Sequence, residues 1–269
     1  MNKRYSLYKI EEKENHPFKP QDYSKFKFGD KFYAKKFAKE LFKGFVAEYG
    51  DILLSNEDSI VILPSPYLSI PTASNFLCYY FKKHLNKFLF ENNKKVAIES
   101  KIYRNQTYVA DYGNLDFEER IQMISNDTYY IDRNFISGKL CIFVDDIKIT
   151  GSHEYTVKKV LDTYDVDGDF VFVYLAELMN KDIHPNIENY YNYAAIKDIH
   201  DIIDVLDSHD FQFNTRIVKY ILKLDKEQFD FFLSKISSQR ANELFELAIS
   251  NNYHKIVEYE NNINLIHQN

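Results

Sequence analysis

Apolar residues recur along this chain at helical spacing in some stretches and at strand spacing in others. Between Gly29 and Gly50, Ala34, Phe37, Ala38, Leu41 and Phe45 fall on one helical face, and Gly50 reads as the C-terminal stop. Ile60, Val61, Ile62 and Leu63 form a short strand-like run, followed by a proline-rich loop to Pro71 and a helix expected over residues 72–90. Residues 96–103 alternate apolar and polar as a strand does, and a short helix is expected over residues 117–124, after the turn-forming Tyr112, Gly113 and Asn114. A buried strand at 140–144, a polar turn, a helix over 154–164 and a second buried strand at 170–175 complete a βαβ unit.

This alternation predicts an α/β fold with a mostly parallel sheet and helices on both faces. Such sheets bind ligands at the carboxyl ends of their strands, so the loops after Leu63, Tyr103 and Val144 are the places to look for chemistry. From about Pro185 only helical spacing remains, with candidate N-caps at Asn214, Asp225 and Ser237 or Ser238. The expected organisation is an α/β domain over residues 1–195 and an all-helical C-terminal subdomain over residues 196–269.

Composition narrows the function classes. The 269 residues include 45% hydrophobic and 28% charged, with few glycines or prolines, which predicts a packed core throughout. A net charge of -6 argues against nucleic acid as the main partner. No apolar run approaches the roughly 18 residues of a membrane span, and the first residues lack the apolar core of a secretory signal, so a soluble cytoplasmic protein is expected. Cys78 and Cys141 lie in apolar segments and read as reduced core residues.

The chemistry concentrates in residues 141–154. Two acids, Asp145 and Asp146, stand at the end of an apolar strand, where their carboxylates accept hydrogen bonds from ribose hydroxyls or help hold hydrated Mg²⁺. Thr150, Gly151 and Ser152 then lead into a helix. Gly151 permits close backbone approach, and the helix N-terminus with its neighbouring hydroxyls suits a dianionic phosphate. An acidic pair by itself is equally a solvated turn; the whole run in a βαβ setting favours a sugar-phosphate site.

The run from Cys141 to Glu154 resembles the phosphoribosyl-pyrophosphate motif of the type I phosphoribosyltransferase family. That resemblance implies that Asp145 and Asp146 face the ribose, and that Lys148, Ile149, Thr150, Gly151, Ser152 and His153 wrap the 5′-phosphate. Two positions depart from the family pattern: Ile149, where many members carry a hydroxyl, and His153, where a final Thr or Ser is usual. The resemblance also implies that pyrophosphate lies at the loop after the early strand, on Ser65, Pro66, Tyr67 and Ser69, although its prolines equally make a plain rigid turn. It further places a closing loop at residues 101–108, with Arg104 as the leading cation for the departing pyrophosphate, Lys101 in reserve and Tyr108 beside them. A solvated basic loop is the competing reading there.

Purine-salvage members place an acid at the Ile149 position to handle a proton on the incoming base, so the isoleucine argues against hypoxanthine or guanine salvage by that route. Over residues 23–193 the pattern is more similar to bacterial phosphoribosyltransferase-like proteins of tellurite-resistance and stress operons. The function this implies is Mg²⁺-dependent transfer of ribose 5-phosphate from phosphoribosyl pyrophosphate to a small-molecule nitrogen acceptor. The alternative is a non-catalytic sensor of a phosphoribosyl ligand on the same fold. A homodimer is the expected assembly.

Overall fold

A computed structural model describes residues 2–104, 116–119 and 129–268. Five strands form one parallel sheet: β1 (Asn2–Ile10), β2 (Val61–Pro64), β3 (Ile98–Glu99), β6 (Lys139–Lys148) and β7 (Gly168–Leu178), in the order β1-β7-β6-β2-β3. The central strands are apolar runs buried on both faces, as parallel strands between helical layers must be. A separate two-stranded antiparallel ribbon pairs β4 (Tyr103–Arg104) with β5 (Tyr129–Tyr130).

Helices α1 (Pro20–Lys27), α2 (Lys31–Ser55) and α3 (Ala73–Glu91) lie on one side of the sheet, where Phe37, Leu41, Phe45, Leu77, Phe81 and Leu85 join the largest apolar cluster. The other side is covered by α4 (Arg133–Ile136) and α5 (Ser152–Thr163), through Ile136, Val157, Val160 and Leu161 against Phe143, Phe170 and Phe172. A short helix, α6 (Ile187–Asn192), leads into α7 (Ile199–Leu206), α8 (Thr215–Leu222), α9 (Lys226–Lys235), α10 (Ser238–Ser250) and α11 (Val257–Gln268). These C-terminal helices bury a second apolar cluster, to which Phe28 and Ile70 contribute from the α/β part. Asn214, Asp225 and Ser237 cap α8, α9 and α10 through their side chains, and Ser238 is the first helical residue of α10.

Three expectations change. Gly50 does not end the early helix: α2 continues to Ser55 because its apolar face continues to the fully buried Leu53. The acids are not in a turn. Pairing of β6 with β7 runs on through Asp145↔Tyr174 and Lys148↔Glu177, supported by the alternation of Ile147 and Ile149 into the core. The strand expected over residues 96–103 is divided into β3 and β4, which belong to different sheets. Of the helix expected over residues 117–124, residues 117–119 are helical and the remainder lies outside the described residues.

The sheet also gains β1, an edge strand whose alternation of polar and apolar residues lets one face pack while the other is wetter. Tyr5 of β1 stacks edge-on against Phe45, 5.6 Å between ring centres, and its hydroxyl sits against Gly44 in the middle of α2. A methyl group at Gly44 would overlap that hydroxyl, which explains a glycine inside a long helix despite its entropic cost.

Candidate active site

Asp145 and Asp146 are adjacent in β6, so their side chains leave opposite faces of the strand and find different partners. Asp145 Oδ2 lies 2.6 Å from His153 Nδ1, and its Oδ1 accepts from the Ser65 hydroxyl at 2.8 Å and the Asp146 amide at 2.9 Å. Asp146 Oδ2 accepts from the Tyr23 hydroxyl at 3.2 Å and from the Lys27 ammonium, and its Oδ1 accepts from the Ile147 amide. Tyr23 and Lys27 are four residues apart on α1, one turn of helix, so a single face delivers both to one carboxylate.

The electrostatics of the two acids diverge. Burial disfavours charge on Asp145, but His153 and the bonds from Ser65 and the Asp146 amide outweigh it and hold the carboxyl well below its ordinary range. Burial raises Asp146, with Lys27 opposing and the neighbouring Asp145 charge adding to the rise. Burial pulls His153 down, but the attraction of Asp145 prevails and its pKa is raised.

After β6 the chain turns through Thr150 into Gly151, whose φ of 81° is left-handed backbone that favours glycine, and α5 starts there without a side-chain cap. The Thr150 hydroxyl donates to Ser152 Oγ at 3.1 Å and accepts from the Ser152 amide at 3.3 Å, drawing the turn closed. Ile149 is buried in the apolar core beside this turn and Lys148 is tied to Glu177 at 2.7 Å. Beyond the turn, Glu154 is gripped by Arg4 and Lys158; burial opposes its charge, yet these bonds bring its pKa down to about 2.

A cavity of about 570 Å³ opens over these elements. Of the residues proposed from sequence it brings together Asp145, Asp146, Arg104, the run Lys148 to His153, Ser65 and Pro66. Ser65 acts as a joint, because its hydroxyl reaches Asp145 while accepting from Ser74 of α3 at 2.8 Å, and its carbonyl accepts from Asn75. Tyr67, Ser69 and Lys101 do not line the cavity. Lys101 Nζ lies 3.6 Å from the centre of the Tyr67 ring, which occupies both residues with each other. The Ser69 amide and hydroxyl donate instead to Asn251 and the Ser250 carbonyl at the end of α10. Tyr108 lies outside the described residues.

Comparison with known proteins identifies the family. The sequence matches the PRTase ComF-like family over residues 1–266. The chain belongs to this phosphoribosyltransferase-like family. Among solved structures it is similar to a mutant hypoxanthine phosphoribosyltransferase from Trypanosoma cruzi complexed with the product IMP. That likeness has 14% identity, a TM-score of 0.32, and covers 56% of this chain and 76% of that one. None of the curated proteins matches.

The cavity contains residues that the motif alone does not reveal. Lys27, Glu188, Tyr193, Arg216, Lys219, Tyr220 and Lys223 all line the cavity. Lys27 had a signal in its four-residue spacing from Tyr23, and α8 had one in a polar stripe opposite Ile217, Val218, Ile221 and Leu222. Neither signal points to the acids until the chain is folded.

Proposed function

We propose that the cavity binds phosphoribosyl pyrophosphate and transfers its ribose 5-phosphate to a nitrogen nucleophile, releasing pyrophosphate. The observation that carries this reading is the placement of two in-strand carboxylates, Asp145 half-buried and Asp146 buried, beside a left-handed glycine turn and an uncapped helix start, all within one cavity. The turn at Thr150, Gly151 and Ser152 receives the 5′-phosphate, and Asp145 and Asp146 accept from the ribose hydroxyls while their charge favours the cationic ribosyl centre of the transition state. Arg104 meets the negative charge that grows on the departing pyrophosphate.

Asp145 and Asp146 are hard oxygen donors that suit Mg²⁺, an ion that keeps several waters and binds through one or two carboxylates plus substrate phosphates. Among the described residues no group of three His, Cys, Asp or Glu is gathered for a metal, so a metal held here would share its coordination with the substrate. When bound, Mg²⁺ would supply neutralisation of pyrophosphate charge. Pyrophosphate release on adding phosphoribosyl pyrophosphate, Mg²⁺ and a library of bases and amines tests the reading.

A second reading, a non-catalytic sensor, draws on the pairing of both acids with basic side chains, His153 on α5 and Lys27 on α1. A ribose exchanging for either partner would loosen a helix, giving binding a conformational output without chemistry. Tight binding with no pyrophosphate release from any acceptor would select it.

A further inference from the structure

The helical side of the cavity carries information about the second ligand. Arg216, Lys219 and Lys223 recur every three to four residues along α8 and its C-cap, so they form one stripe, and all line the cavity. The opposite face, Ile217, Val218, Ile221 and Leu222, is fully buried in the helical core and fixes the rotation of the helix. The helix is also fixed at its start. Asn214 donates to the Lys27 carbonyl at 3.0 Å, and the Thr215 hydroxyl and amide donate to Ile70 and Pro71 of the loop that follows β2. The stripe is thereby held in register with the acids of β6.

The same wall carries aromatic rings. Tyr193 and Tyr220 both pack edge-on against Phe28, at 5.5 and 5.7 Å, and the Arg216 guanidinium stands 5.7 Å from the centre of the Tyr193 ring. From Glu188 to the C-terminus the described cavity-lining residues include three cations, Arg216, Lys219 and Lys223, and one acid, Glu188. On the sheet side Asp146 and Glu154 are bonded to Lys27 and Arg4, and Asp145 to the His153 ring.

Resting on the reading that the sheet side takes phosphoribosyl pyrophosphate, we propose that the α8 wall binds the acceptor, and that the acceptor is a planar ring bearing an ionised carboxylate or phosphate. The rings of Tyr193 and Tyr220 take the planar face and the cationic stripe takes the anion. An acceptor already carrying its negative charge also suits a site in which the buried Ile149 provides no acid to manage a proton on the base.

The test compares paired probes on the full chain by calorimetry with phosphoribosyl pyrophosphate and Mg²⁺ present: nicotinate against nicotinamide, and phenyl phosphate against phenol. The anionic member of one or both pairs binds at least about tenfold more tightly, the effect of one charge-assisted contact, and the pair that shows it distinguishes carboxylate from phosphate. Lys219→Gln with Lys223→Gln, confirmed folded by circular dichroism, brings that ratio towards one. Equal binding of both members of both pairs by the wild-type chain overturns the proposal. So does a ratio unchanged by the substitutions, or a loss confined to inorganic pyrophosphate affinity, which would assign the stripe to the leaving group. Phosphoribosyl pyrophosphate is titrated alone in the same series. Its failure to bind, with probe selectivity retained, would strike the function proposed for the sheet side instead.

Discussion

The two walls of the cavity handle charge differently. At the sheet ends each acid has a basic partner: Asp145 has His153, Asp146 has Lys27, and Glu154 has Arg4 and Lys158. Across the cavity α8 presents a positive stripe on a helix anchored by its caps and its apolar face. The contrast suggests a division of labour. A ligand at the sheet side exchanges its hydroxyls for partners the acids already have, while the helical side brings the side chains of Arg216, Lys219 and Lys223 to the cavity wall.

The largest expected effect comes from removing the negative half of the sheet wall. Asp145→Asn with Asp146→Asn keeps shape and one acceptor oxygen on each side chain, and should lower phosphoribosyl pyrophosphate affinity more than about a hundredfold, given roughly 1.5–3 kcal/mol per charge-assisted bond. Calorimetry on the folded double variant measures it, and unchanged affinity would reduce the acids to structural strand residues.

Removing the positive half should act on stability. Lys27→Met leaves Asp146 buried without its cation, and breaking one side of a buried pair costs about 3–5 kcal/mol. Urea denaturation reads the loss. Adding Asp146→Asn to Lys27→Met should restore part of it, and an additive double variant would show that the pair is not coupled.

Arg104→Ala sharpens the comparison between ground-state and transition-state contacts. Its proposed role predicts a kcat lowered about a hundredfold with KM little changed, because a contact formed only as charge develops does not hold the substrate. Steady-state kinetics with an active acceptor would show it; a rise in KM alone would make Arg104 an ordinary binding residue.

The smallest effect is on pH. His153 faces Asp145, Asp146 and Arg104, and its pKa is raised in the folded protein. The stability it contributes is therefore fully present below its unfolded value of about 6.5 and is lost as pH rises through the folded value. Asp145 is depressed, so its share is present above about 3.9 and lost only as pH falls through its lowered value. Melting temperatures of the wild type minus those of His153→Asn should decline above about pH 6.5; a flat difference would mean that the pair carries no net charge interaction.

Much of this was legible in the sequence where the signal is local. The β6-α5-β7 unit follows from two apolar runs flanking an amphipathic helix, and the caps of α8, α9 and α10 follow from Asn214, Asp225 and Ser237 standing before helical spacing. The edge strand β1 was hidden because its alternation includes charged residues, and only pairing with β7 identifies it. Gly50 misled because a glycine stops a helix only where the residues beyond it have no apolar face to bury, and Leu53 keeps that face buried. Tyr67 and Ser69 sit in the loop where pyrophosphate was expected, but their partners, Lys101 and the end of α10, lie far away in sequence. The α8 stripe is not legible as a cavity wall, because periodicity shows which side is polar and not what that side confronts.

Both readings of function require the sheet wall to bind a phosphoribosyl ligand, and titrating phosphoribosyl pyrophosphate with Mg²⁺ into the full chain tests this most directly. A single saturable site, a melting temperature that rises with ligand concentration by mass action, and loss of both in the Asp145→Asn, Asp146→Asn variant are the predicted results. Absence of binding heat and of any thermal shift in the folded wild-type chain would contradict it, for the transferase and the sensor alike.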